Sequence, residues 1–140
     1  MPVETKKYKV QTQGNSDIVD ITGFVEDTVS TNKKMKSGIA VIFVAGSTAA
    51  ISTIEYEPGL KKDIPQALEK IAPVNGKYEH HKTWNDDNGS AHVRSTLIGP
   101  SLTVPFTNKK LILGTWQQIC LLDFDTRPRE REIIVQILGN

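Results

Sequence analysis

The spacing of hydrophobic residues changes several times along the chain, and each spacing predicts a different element. From Lys7 to Thr12 polar and apolar residues alternate, which predicts a strand, and the following "GNS" predicts a hairpin turn. Apolar residues then recur three and four positions apart, which predicts one face of a helix: Ile21, Phe24, Val25 and Val29.

The middle of the chain predicts two strands and two helices. The continuous β-branched run from Ile39 to Val44 is typical of a strand buried on both faces, and a second strand is expected from Thr48 to Tyr56. Because Pro65 does not fit deep inside a regular helix, we place the start of the next helix near Asp63. Its apolar stripe comprises Leu60, Ile64, Ala67, Leu68 and Ile71. A short helix is expected from Ala91 to Ile98.

The last third of the chain predicts mainly strands, from Leu102 to Phe106, from Lys110 to Asp125 and from Glu132 to Leu138. The long middle run is interrupted at Gly114, where a bulge or a close backbone approach is expected. Two to three helices among some six to eight strands predict an α+β fold. We expect a compact single domain over residues 1–140 with a mixed, mostly antiparallel sheet.

Composition and charge exclude several classes of protein. Hydrophobic residues make up 38% of the chain and charged residues 24%, as in ordinary globular domains. The net charge of +1 gives no electrostatic reason to expect a nucleic-acid or membrane partner. The N-terminus has no apolar signal segment, and the longest apolar run is too short to span a bilayer. We therefore expect a cytoplasmic protein.

Familiar catalytic motifs are absent. The chain has no phosphate-binding glycine loop, no H-E-x-x-H and no G-x-S-x-G. The single cysteine, Cys120, lies in an apolar run, which predicts an inert buried thiol. A cluster of arginines near the C-terminus, Arg127, Arg129 and Arg131, alternates with glutamates and predicts a solvated mixed-charge face, with anion binding as the alternative.

All three histidines lie in "HHKTWNDDNGSAH", residues 80–92. His80 and His81 are adjacent, so in an extended chain their side chains point apart and only one of them is expected to join His92. Neutral imidazole is a common ligand of zinc and related metals, and a nearby carboxylate can complete the shell: Asp86, Asp87 or Glu55. The alternative is a polar loop whose side chains bond their own backbone.

The stretch "LGTWQQI" predicts a second feature of a binding site. On a strand, Trp116 and Gln118 share one face while Thr115 and Gln117 share the other. Polar groups set into an apolar wall are what a small-molecule pocket uses to orient its ligand. The alternative is a tryptophan packed in the core and a glutamine at a strand edge.

Three longer blocks resemble the YjbQ-like family, often labelled the secondary thiamine-phosphate synthase family. They are "GSTAAISTIEYEPGL", "NDDNGSAHVRSTLIGPSLTVPF" and "LILGTWQQICLLDFDTRPREREIIVQILG", and their order and spacing match the family from about Lys7 to Gly139. The resemblance implies a compact α+β fold with a barrel-like core. It also implies a homotrimer with pockets near the subunit boundaries, and a site in which histidines bind a divalent metal, Mg²⁺ or Zn²⁺.

The resemblance also implies the site residues. Two family histidines map to His80 and His92, while the position of the third, before "T-A-A", holds Gly46 here. We expect the two histidines to act as metal ligands and, with Glu55, as catalytic residues. Among the expected substrate-binding residues, Asn88 and Gln117 match family positions. The others are expected from their side chains: Ser47, Thr48 and Arg94 carry donors that suit phosphate oxygens, and Thr115 shares a strand face with Gln117.

The activity attached to the family joins a hydroxymethylpyrimidine pyrophosphate to a thiazole phosphate and releases pyrophosphate. Such a reaction needs the charge of the departing pyrophosphate to be neutralised, usually by Mg²⁺ together with Lys or Arg. We therefore expect a weak thiamine-phosphate synthase acting on small phosphorylated metabolites. Two alternatives are a metal-assisted hydrolase or phosphatase and a non-enzymatic trimer that binds a small ligand.

Overall fold

Eight strands in two antiparallel sheets and four helices form the fold of residues 1–140 in the computed structural model. The strands are β1 Val3–Thr12, β2 Asp17–Asp20, β3 Gly38–Val44, β4 Ala49–Ile54, β5 Ser101–Thr107, β6 Lys110–Leu111, β7 Gln118–Asp123 and β8 Arg129–Gly139. The helices are α1 Thr22–Thr31, α2 Pro58–Ile71, α3 Glu79–Trp84 and α4 Gly89–Ile98. The α+β prediction is confirmed, but the expected two to three helices are one too few because the histidine segment contains α3. No helix has the length and apolar character needed to cross a membrane.

The smaller sheet forms the middle layer of the fold. The larger sheet has the strand order β1-β8-β3-β5-β6 and the smaller one the order β2-β7-β4. The larger sheet and α1 cover one face of the smaller sheet, and α2 and α4 cover the other. Along β7, Ile119 and Leu121 enter the first core while Cys120 and Leu122 enter the second. The strand buried on both faces is therefore β7.

Strand β3 is buried on one face only, which corrects the prediction for its apolar run. Ala40, Ile42 and Val44 are buried, whereas Ile39 and Phe43 are 37% and 39% exposed on the outer face. The reason is position in the fold, because β3 belongs to the outer sheet and nothing in the chain covers its far side. An apolar run therefore shows that a strand is hydrophobic without showing how many layers cover it.

The "GNS" stretch forms a turn, but not the predicted hairpin. Gly14, Asn15 and Ser16 all adopt positive φ angles, of 76°, 54° and 66°. The strands on either side do not pair with each other, since β1 pairs with β8 and β2 pairs with β7. The turn carries the chain from one sheet to the other.

Helix α2 begins five residues before the predicted start at Asp63. The carboxylate of Glu57 accepts hydrogen bonds from the N–H groups of Gly59 and Leu60 and so caps the helix at Pro58. Pro65 lies inside the helix, although it removes a backbone donor there. The packing of one apolar face on the smaller sheet offsets that loss; the residues are Leu60, Ile64 and Leu68.

Candidate functional site

The histidine segment folds as two short helices joined by a tight reversal. Helix α3 ends at Asn85, whose left-handed backbone (φ 51°, ψ 49°) turns the chain so that α4 can begin at Gly89. The backbone at His80 is therefore helical and not extended. The reversal brings the rings of His80 and His92 to a centroid distance of 4.3 Å, with an angle of 55° between their planes.

His81 serves the junction of the two helices instead of the histidine pair. Its Nε2 accepts a hydrogen bond from the N–H of Gly89 at 2.9 Å, and its ring lies 5.3 Å from that of Tyr78. A Cβ atom at Gly89 would stand 2.5 Å from the Cβ of Tyr78, so the close approach requires glycine. As expected, only one of the two adjacent histidines pairs with His92, although helical geometry and not strand parity separates their side chains.

His80 contacts one carboxylate directly and is linked to a second through Asn88. Its Nε2 lies 3.2 Å from Oδ2 of Asp86 and 3.2 Å from Oδ1 of Asn88. The amide nitrogen of Asn88 lies 3.4 Å from Oδ1 of Asp125 and donates to it. With its amide reversed, Asn88 donates to both Asp86 and His80, at 3.2 Å each. In either orientation, Asn88 holds the imidazole of His80 beside a carboxylate and restricts its rotation.

A buried ionic network lies beneath these residues and joins the two sheets. Arg131 donates from Nε and Nη2 to the two oxygens of Asp123, at 2.7 and 2.8 Å. Arg129 donates from Nε to Asp125 at 2.8 Å. The hydroxyl of Thr48 accepts from Nη2 of Arg131 at 2.7 Å and donates to Asp125 at 3.2 Å. Because Asp123 and Asp125 are fully or almost fully buried, each depends on these partners.

Sequence reasoning missed this network, although β8 carries a signal of it. Arg129 and Arg131 have the same parity as the core residues of β8, whereas Glu130 and Glu132 point outward. The predicted solvated face is therefore wrong for Arg131, which is only 8% exposed. Two arginines on the inward-facing positions of a strand need buried partners. The two aspartates of "DFDT", which follow an apolar strand, can supply them, so the two patterns together predict buried ion pairs.

Burial and a neighbouring imidazole lower the pKa of His92 below its ordinary value of 6.5. Burial is the larger cause, and the charge of His80 acts in the same direction. Asp86 and Asp125 act the other way, because their negative charges favour the imidazolium form. The net result is a neutral His92 at pH 7, which is the state of a proton acceptor.

The network keeps Asp125 ionised. Burial acts to raise its pKa, but hydrogen bonds from the N–H of Thr126, from Arg129 and from Asn88 outweigh burial and hold the pKa below its usual value. A permanent negative charge therefore lies behind Asn88, on the side of the histidine pair that faces the core.

Replacing His80 should move the titration of His92. We expect His80→Ala to raise the pKa of His92 towards 6.5, because it removes a like charge and opens the site to water. Proton NMR of the histidine ring signals measures this shift, and a wild-type His92 titrating at or above 6.5 contradicts it.

The wild type should also lose stability as the pH falls below about 6.5, where the unfolded chain takes up the proton first. Denaturation at pH 7 and pH 5 checks this sign.

Besides Asn88, three of the predicted substrate-binding residues lie at or near this end of the fold, with different roles. Ser47 is exposed at the surface. Thr48 is buried, and its hydroxyl is used by the ionic network. Arg94 is 3% exposed, and its guanidinium donates to acceptors away from the histidine pair; these are Ala72 O at 3.0 Å, Ser16 Oγ at 3.0 Å and Glu69 Oε2 at 2.8 Å.

The other predicted residues lie at the opposite end of the smaller sheet. Ala49, at the start of β4, pairs with Asp123, whereas Glu55 follows the far end of the strand, about 20 Å away at roughly 3.3 Å per residue. Thr115 and Gln117 belong to an exposed turn, in which the Gly114 N–H donates to Gln117 Oε1 at 2.8 Å. The predicted strand faces are therefore wrong for this stretch. The two residues line a depression of about 530 Å³ that contains no histidine.

The donors near the histidine pair do not form a metal centre as they stand. The set consists of two imidazoles and Asp86, and no group of three or more His, Cys, Asp or Glu side chains in the chain is arranged to hold a metal ion. Zinc sites use three or four protein ligands. The expected Mg²⁺ or Zn²⁺ therefore stays a prediction.

Comparison with known proteins establishes the family. The model of the family described as UPF0047 protein YjbQ-like matches residues 6–140. The chain belongs to the YjbQ-like UPF0047 family. The UPF0047 protein MJ1081 of Methanocaldococcus jannaschii is 38% identical over 135 residues, which cover 96% of this chain and 94% of that protein. A UPF0047 protein of Archaeoglobus fulgidus is 38% identical over 129 residues, 92% of this chain and 97% of its own.

Solved structures share the YjbQ-like fold over almost the whole chain. A YbjQ-like protein of unknown function (SSO2532) from Sulfolobus solfataricus superimposes with a TM-score of 0.91 at 38% identity and covers 99% of both chains. The hypothetical protein APE1520 from Aeropyrum pernix gives a TM-score of 0.89 at 34% identity and covers 98% and 99%. The family resemblance carried by the three sequence blocks is therefore confirmed.

Proposed function

We propose that this YjbQ-like chain acts on a small phosphorylated metabolite at the surface where α4 meets the connection between β3 and β4. The observation that supports this proposal is the pair of imidazoles of His80 and His92, 4.3 Å apart, with Asp86 3.2 Å from His80. Two imidazoles at this distance, one of them held by a carboxylate, are suited to giving and taking a proton. We assign proton transfer to the imidazoles of His80 and His92.

The surface beside the pair offers room for a ligand. A depression of about 230 Å³ is lined by His92, Val93, Thr96 and Leu97. A second depression, of about 600 Å³, is lined by Phe43, Gly46, Ser47, Ser95, Thr96 and Pro100. The two share Thr96 and form one continuous surface of the size that small ligands occupy. Val93 and Leu97 are partly exposed there and suit an aromatic ring.

The reaction that we assign to this surface is a low-level thiamine-phosphate synthase activity, as the resemblance implies. The bond between the pyrimidine methylene carbon and the pyrophosphate oxygen breaks, and its electron pair leaves with pyrophosphate. The lone pair of the thiazole nitrogen forms the new carbon–nitrogen bond. A protonated histidine of the pair gives its proton to the departing pyrophosphate and becomes neutral.

The double variant His80→Ala/His92→Ala should lose at least about 100-fold in turnover, as expected for removal of a positioned proton donor and acceptor. The assay supplies both phosphorylated precursors and measures thiamine phosphate by fluorescence after oxidation, together with released pyrophosphate. His81→Ala is the matched control, because its histidine lies on the same helix and serves the α3–α4 junction. It should lose about 1 kcal/mol of stability and keep its turnover.

Unchanged turnover in a folded double variant would remove the histidine pair from the mechanism. Release of inorganic phosphate from phosphate esters would favour the hydrolase alternative. Ligand binding without any turnover would favour the non-enzymatic one. Elemental analysis of the purified protein tests the predicted divalent metal.

Self-association into a homotrimer also stays a prediction. The outer face of the larger sheet offers apolar side chains to a second copy, among them Ile39 and Phe43. The mass in solution, measured by light scattering, tests this prediction.

A further inference from the structure

We propose that Arg131 and Gly46 form an oxyanion-binding subsite, in which the free guanidinium nitrogen of Arg131 binds a phosphate oxygen. This inference rests on the proposed function only in taking the ligand to be a phosphorylated metabolite. It adds the atom that recognises the phosphate and the residue that keeps this atom accessible.

The three nitrogens of the Arg131 guanidinium are not equally hydrogen-bonded. Nε and Nη2 are bonded to Asp123 and Thr48, at 2.7 to 2.8 Å, and these bonds hold the plane of the group. Nη1 has no hydrogen-bond partner in the chain, although the arginine side chain is 91% buried, with 9% exposed. No fully buried side-chain nitrogen lacks a partner, so Nη1 reaches the surface. Nη1 therefore keeps two N–H donors that are unpaired within the chain and that solvent can reach.

Nη1 of Arg131 lies directly beside the backbone of Gly46. An ideal Cβ built on Gly46 would stand 2.7 Å from Nη1 and 3.7 Å from Cζ of the same guanidinium. Any side chain at position 46 would cover the nitrogen, whereas glycine leaves it open. The φ angle of Gly46 is not positive, so its backbone does not require glycine. The close approach of Arg131 is the physical reason for a residue without Cβ.

A further hydrogen-bond donor and a surface depression lie next to Gly46. Ser47 is exposed next to Gly46, and its backbone N–H has no hydrogen-bond partner in the chain. The depression of about 600 Å³ that contains both residues continues, through Thr96, to His92. A ligand with its phosphate on Arg131 can therefore extend towards the histidine pair.

The direction of the hydrogen bonds at Nη1 decides which ligand fits. The network contains two arginines, Arg129 and Arg131, and two carboxylates, Asp123 and Asp125, so its formal charge is zero. The subsite therefore acts through directed charge-assisted hydrogen bonds rather than through net charge. A phosphate oxygen accepts such bonds, while a ligand ammonium group meets only donors at Nη1.

The test measures binding of inorganic pyrophosphate and, separately, inorganic phosphate by ³¹P NMR titration. Gly46→Ala should weaken the binding of pyrophosphate roughly tenfold or more, because a methyl group built 2.7 Å from Nη1 either covers this nitrogen or displaces the guanidinium. Gly23→Ala is the matched control. It adds the same methyl group on α1, where nothing lies within 4 Å, and should bind like the wild type.

A second measurement uses the wild type alone, so the test does not depend on the folding of a variant. Pyrophosphate should shift the NMR signal of the Arg131 guanidinium more than those of exposed arginines. Equal affinity of Gly46→Ala and wild type, or an unmoved Arg131 signal under saturating pyrophosphate, overturns the subsite. Binding that depends on Gly46 without turnover would support the subsite while removing the proposed reaction. Turnover that depends on the histidines but not on Gly46 would do the reverse.

Discussion

Asp123→Asn should destabilise the protein by about 3–5 kcal/mol, the cost of leaving one partner of a buried ion pair without the other. Asp123 is fully buried and accepts two hydrogen bonds from Arg131 and one from the N–H of Asp125, at 2.7 to 3.1 Å, and a fourth from the hydroxyl of Thr12. Asparagine keeps the shape but removes the charge, and its amide nitrogen would face arginine donors. Urea denaturation followed by circular dichroism measures the difference.

The control for this variant is Glu130→Gln, on the outer face of the same strand as Arg131. Glu130 and Lys9 lie 3.6 Å apart with both side chains exposed, so the loss should be below about 1 kcal/mol. Similar losses in the two variants would show that the network does not stabilise the junction of the two sheets.

Arg94→Met should cost about 2–4 kcal/mol and leave pyrophosphate affinity unchanged in the folded protein. The guanidinium of Arg94 ties α4 to the end of α2 through the carbonyl of Ala72 and the carboxylate of Glu69. Methionine fills part of the space but leaves the carbonyl of Ala72 without this donor and removes the ion pair with Glu69, which is the expensive part of the change. Denaturation and the ³¹P titration together measure both quantities.

This experiment separates two roles of Arg94. Arg127→Met removes an exposed arginine and should change stability by less than about 0.5 kcal/mol. If Arg94→Met keeps its stability and loses pyrophosphate affinity instead, then Arg94 binds phosphate, as the sequence predicted. The three contacts of its guanidinium lead us to expect the structural role.

Local patterns identified most elements because they depend on neighbours in the chain. Spacing of three and four residues locates α1, and alternation locates the second half of β1. The proline rule predicts too late a start for α2 because it takes no account of tertiary packing. The packing of α2 on the smaller sheet outweighs the effect of Pro65.

The candidate site was only partly predictable for the same reason. The pairing of His80 with His92 was expected, since both lie in one short segment. Glu55 and Gln117 were placed with them on the family pattern, but within the chain they lie at the far end of the smaller sheet. Distance along a strand is not visible in a list of site residues.

The sequence by itself determined the family, the α+β class and the histidine pair, because these depend on residue identity and on short-range spacing. Only the tertiary structure decided which charges are buried. Arg131 appears in a run of alternating charges, yet strand parity turns it inward to meet Asp123 from another strand. Whether Gly46 is a lost ligand or an opening onto that arginine likewise depends on residues 85 positions apart in the chain meeting in space. Such meetings are set by the packing of whole sheets, which no local pattern encodes.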